Sequence, residues 1–111
     1  MRRLFAALVA AGFSLGVSPA VGQGHTVQTL RGWCKQPQDT YDFALCLGYV
    51  TGTADTLVEI GASNKLGMCE RPTYGVAIQA FLNWADSHPE YWDRDKSIGA
   101  SVALHEKWPC K

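Results

Sequence analysis

Apolar residues recur at three- and four-residue intervals along Asp42 to Ser63, where Phe43, Cys46, Leu47, Val50, Ala54, Leu57 and Val58 fall on one side of a predicted amphipathic helix. A second seam, Ala44, Gly48 and Gly52, lacks bulky side chains and predicts the close approach of another helix, since each helical glycine costs roughly 1 kcal/mol of propensity relative to alanine. A glycine-rich apolar run also fits a buried strand; the spacing favours the helix. Asp39 or Thr40 is placed to cap its start, and Asp42 suits the positive end of its dipole.

Three further elements pack around this hub. His25 to Trp33 predicts a short helix with Thr26 as N-cap and Val27, Leu30 and Trp33 or Cys34 facing inward. Gly61 to Gly67 loses all periodicity and reads as a loop closed by Cys69. A helix over Thr73 to Asp86 then places Tyr74, Ala77, Ile78, Phe81, Leu82 and Ala85 inward, with Trp84 on its flank. Ser87-His88-Pro89-Glu90 has the form of a capping box, so a last helix is expected from Pro89 to Lys107. Its apolar residues are Ile98, Val102 and Leu104, Ala100 and Ala103 allow close approach, and Pro109 ends it. The fold class is all-α: three main helices plus a short N-terminal one.

The chain start changes the setting. Arg2 and Arg3, the apolar run Leu4 to Val17, and small residues at Ser18-Pro19-Ala20 or Ala20-Val21-Gly22 predict a signal peptide over residues 1–20. The run is short for a membrane span, and no later segment is expected to approach that length. Residues 21–111 then form one small domain, soluble in the periplasm or secreted, and its eight Lys and Arg against ten Asp and Glu leave a net charge of −2. That balance argues against a nucleic-acid or anionic-membrane partner.

Cys34, Cys46, Cys69 and Cys110 make an even count in a short exported chain, which predicts two disulfides; no C-x2-C pair suggests zinc. Of three possible connectivities, an up-down-up arrangement of the main helices favours Cys34–Cys46 and Cys69–Cys110.

No catalytic constellation emerges. Oxidised cysteines offer no nucleophile, and Asp93 and Asp95, two apart on the predicted helix, do not share a face. His25, His88 and His105 lack metal-ligand spacing, so no metal or cofactor is expected. Asp55 reads better as a partner for a nearby backbone group or arginine than as a binding residue, and Tyr49 as core or rim packing. The candidate partner-binding residues are Asn64, Lys65 and Leu66, in the loop beside Cys69, and Tyr91 and Trp92, an exposed aromatic turn.

The ordered set Cys46-x-Gly48-Tyr49-x-x-Gly52-x-x-Asp55, Cys69 with Pro72, Trp84, His88-Pro89-Glu90, Ala103-Leu104 and Trp108-Pro109-Cys110 resembles the Rap/Tai family of type VI secretion immunity proteins across about residues 34–110. Here the proline follows Cys69 by three residues, where the family more often has two. The resemblance implies a periplasmic, disulfide-bonded helical protein that binds a cognate cell-wall amidase effector and occludes its active site, with homodimers common in the family. The competing expectations are a general periplasmic stress or chaperone-like protein and a subunit of an envelope complex.

Overall fold

A computed structural model describes residues 24–111. The signal peptide expected over residues 1–20, and its cleavage motif, lie outside the described residues. Four helices follow in order: α1 Val27–Cys34, α2 Tyr41–Ile60, α3 Tyr74–Ser87 and α4 Lys96–Lys107. Short 3-10 turns at Gly61–Ser63 and Pro89–Tyr91 lie on either side of α3, and there is no strand among the described residues.

The hub forms as its periodicity requires. Thr40 caps α2 by accepting from the Phe43 N–H at 3.2 Å, as Thr26 caps α1 by accepting from Thr29 at 3.2 Å. Cys46, Val50, Ala54 and Leu57 are buried on α2, and every helix touches the other three. Leu30, Val50, Phe81, Leu104 and Met68 fill the centre. The disulfides are Cys34–Cys46 and Cys69–Cys110. Their sequence separations of 12 and 41 correspond, in the chain-entropy account, to about 3 and about 4 kcal/mol.

Several expectations are corrected. Leu47 (37% exposed), Tyr74 (57%) and Ile98 (41%) face solvent, whereas Trp84 is buried instead of lying on a flank. Trp84 takes the inner position because its ring stacks on His88 at 4.6 Å and meets Tyr91 edge-on at 5.0 Å. The seam of Ala44, Gly48 and Gly52 has no partner helix: all three are exposed, and a Cβ at either glycine would meet nothing within 4 Å. The close approach occurs instead at Gly99, where a Cβ would lie 2.5 Å from Val27 Cγ2.

With apolar and small residues on both its faces, Tyr41–Ser63 is 23 residues long at mean hydropathy 1.2, enough by length and composition to cross a membrane. That corrects the expectation that no segment after the leader approaches such a length. Here one side of the helix, Cys46, Val50, Ala54 and Leu57, packs into the bundle, and Cys34–Cys46 ties it to α1.

The last helix also starts later than expected. No capping box forms at Ser87, whose hydroxyl donates back to the Asn83 carbonyl at 3.1 Å. The Trp92 and Arg94 carbonyls instead accept from Gln28 and Val27 N–H at 3.1 and 2.8 Å, and the Lys96 N–H donates to His25 at 2.9 Å. Satisfying the open N–H groups of α1 holds this stretch out of helical geometry. Asp95 then caps α4, accepting from the Ser97 N–H at 2.8 Å and its hydroxyl at 2.6 Å.

Candidate partner-binding surface

The loop from Gly61 to Cys69 is built from backbone outward. Gly61 ends α2 at φ +47°, a left-handed conformation that glycine adopts without a Cβ penalty. The chain then doubles back on Asn64, whose carbonyl accepts from Gly67 N–H at 2.9 Å and whose side-chain oxygen accepts from Leu66 N–H at 2.8 Å. A Cβ on Gly67 would lie 1.6 Å from the Gly61 carbonyl oxygen, so only glycine fits this crossing. Beyond it, the Met68 N–H donates to Leu57 at 2.9 Å and its side chain is fully buried.

Two supports come from the C-terminus. Cys110 bonds Cys69, and His105 Nδ1 donates to the Gly67 carbonyl at 3.1 Å, which fixes the proton on that nitrogen because a carbonyl can only accept. Asn64, Lys65 and Leu66 are left exposed at the tip, Leu66 at 42%, beside a shallow groove that Leu66 shares with Ile98 and Val102. A loop held this way loses little conformational entropy on docking. Neither Gly67 nor His105 was among the candidate partner-binding residues read from the sequence. A glycine in a loop is a weak signal, and nothing local marks a histidine 38 residues away as its support.

Tyr91 and Trp92 lie elsewhere, beyond the far end of α3, a helix of 14 residues and so about 21 Å long. They do not form an exposed turn. Both are half-buried: Trp92 Nε1 donates to the Ala85 carbonyl at 2.8 Å, the Arg31 guanidinium covers its ring at 4.4 Å, and Tyr91 packs on Trp84. The rings are occupied by intramolecular contacts that the sequence did not reveal.

Several of the remaining charged groups have structural partners. Asp55 pairs with Arg71 at the surface. Asp86 accepts from Arg31 at 2.6 Å and approaches Lys35 at 3.1 Å, and these bonds lower its pKa. Bonds from Ser97 likewise lower that of Asp95. Burial, with the nearby Asp95 charge, raises the pKa of Tyr49, over whose ring Lys96 Nζ sits at 4.7 Å. His88 Nδ1 donates to the Trp84 carbonyl at 2.7 Å, a structural bond. Among the described residues no charged side chain is buried, and no group of three or more His, Cys, Asp or Glu is placed to hold a metal ion.

The family model for Rap1a immunity proteins matches residues 26–110. The chain belongs to this family. Neither the curated proteins nor the solved structures contain a match to it. Membership as a Rap1a immunity protein implies an effector partner, and it agrees with the resemblance read from the motifs.

Proposed function

We propose that this Rap1a-family chain is a periplasmic immunity protein that binds and occludes a peptidoglycan amidase delivered by type VI secretion, and catalyses nothing itself. The observation that carries the proposal is the clamped loop whose tip exposes Asn64, Lys65 and Leu66. A tip of this kind suits insertion into a cleft, and its rigidity keeps the entropic cost of docking low. Export is supported by the leader-like pattern of residues 1–20 and by two disulfides, which persist in oxidising compartments.

The test is direct. A peptidoglycan amidase encoded beside this gene, directed to the periplasm, should lyse cells, and co-expression of this protein should rescue them. Absence of any such neighbour, together with envelope pull-downs that recover no hydrolase, would remove the basis for the reading.

Self-association belongs to the same proposal. The open seam of Ala44, Gly48 and Gly52 has room for a helix from a second copy. Sedimentation of Gly48→Leu beside the parent protein tests this, with loss of a dimer as the expected result.

A further inference from the structure

Solvent reaches the two disulfides unequally. Cys34 and Cys46 are 5% and 0% exposed, sealed between α1 and α2. Cys69 is exposed and Cys110 half-exposed. The accessible bond also joins the two segments that shape the loop: Cys69 directly follows buried Met68, and Cys110 directly follows Pro109, which pairs with Met68.

We propose that Cys69–Cys110 is a redox-operated clasp, opened by a dithiol reductant, that frees the C-terminal tail and loosens the Asn64–Met68 loop while the helical core stays folded. One thiolate of the reductant attacks a sulfur of the pair, the S–S bond breaks, and a mixed disulfide forms as the other cysteine leaves as thiolate. The second thiol of the reductant then displaces the remaining cysteine. Two electrons pass to the protein, both cysteines take up protons, and the reductant departs as a disulfide. Attack requires access to sulfur, which the surface position of Cys69 provides and the burial of Cys34 and Cys46 denies.

Contacts elsewhere explain why the consequence is local. Once the clasp opens, the Met68–Leu57 and His105–Gly67 hydrogen bonds still tether the loop to the core but, without the covalent anchor, open more often. The core keeps Cys34–Cys46 and its buried side chains. The effect on amidase binding rests on the proposed immunity function; the clasp itself does not.

Graded dithiothreitol on the oxidised full chain, followed by thiol alkylation, peptide mapping and amide hydrogen exchange, tests the inference. Cys69 and Cys110 should be alkylated first, with the helical circular dichroism signal retained. Exchange across residues 64–69 and 108–111 should rise by about tenfold or more. Reduction of Cys34–Cys46 first or simultaneously, global unfolding on loss of the clasp alone, or unchanged loop exchange would each overturn the proposal. The double variant Cys69→Ser, Cys110→Ser should reproduce the reduced exchange pattern; if it does not fold, the clasp is refuted as a local device. Titration with a peptidoglycan amidase encoded beside this gene, the partner proposed above, adds a separate arm. Binding by the oxidised form that weakens on reduction supports both readings, whereas failure of the oxidised form to bind sinks the immunity function and leaves the exchange result to decide the clasp.

Discussion

At one end of the bundle, α1 is bonded to the stretch before α4 through the Trp92 and Arg94 carbonyls, Trp84 is buried between His88 and Tyr91, and the Cys34–Cys46 bridge is sealed from water. At the other end, a tip of three exposed residues stands on a glycine crossing, a histidine–carbonyl bond and an accessible disulfide. Burial stabilises the first end and local geometry shapes the second. A loop fixed by backbone bonds and a cross-link keeps its side chains free for a partner.

The contrast is easiest to break from the packed end. Leu30 is fully buried on α1, so Leu30→Ala should lower unfolding free energy by about 2–5 kcal/mol in a urea titration. A smaller loss would mean that the packed end is looser than described. Gly67→Ala sharpens the account of the other end: a Cβ against the Gly61 carbonyl should cost about 1–3 kcal/mol and raise amide exchange across residues 64–68 first. An increase appearing first in α1 would contradict it.

Acid provides a milder probe. The pKa of Asp86 is depressed in the fold by Arg31 and Lys35, so the contribution of this cluster is present above the ordinary value of 3.8 and is lost as pH falls through the lowered folded value. Because the pair is half-exposed and screened, the loss should stay under about 1 kcal/mol, and Asp86→Asn should flatten that part of the stability–pH curve. Smallest of all should be Leu66→Ala, which at 42% exposure should change stability by no more than about 0.5 kcal/mol. A larger loss would place Leu66 in the fold and take it out of the proposed docking surface.

Legibility from sequence followed the range of the interactions. The α2 periodicity, the Thr26 cap, the narrowing of the α2 cap to Asp39 or Thr40, the loop after Ile60 and the sulfur pairing were readable because each depends on neighbours or on the simple alternation of helix direction. The start of α4 was misread because its decisive partners, Val27 and Gln28, lie more than sixty residues earlier in the chain. Tyr91 and Trp92 looked exposed because charged neighbours mark a wet segment, but Arg31 and the Ala85 carbonyl hold the Trp92 ring and Trp84 holds that of Tyr91. Of the candidate site, Asn64, Lys65 and Leu66 were found through loop chemistry. Gly67 and His105, which hold that loop in place, become visible only when the ends of α2 and α4 are seen side by side.

The most direct measurement is a calorimetric titration of the proposed partner, a peptidoglycan amidase encoded beside this gene, with the parent protein, with a loop variant carrying Asn64→Ala, Lys65→Ala and Leu66→Ala, and with Trp92→Phe. The account predicts nanomolar binding by the parent, an affinity loss of about a hundredfold or more for the loop variant, and an unchanged value for Trp92→Phe. Unaltered binding by the loop variant, or a loss confined to Trp92→Phe, would contradict it.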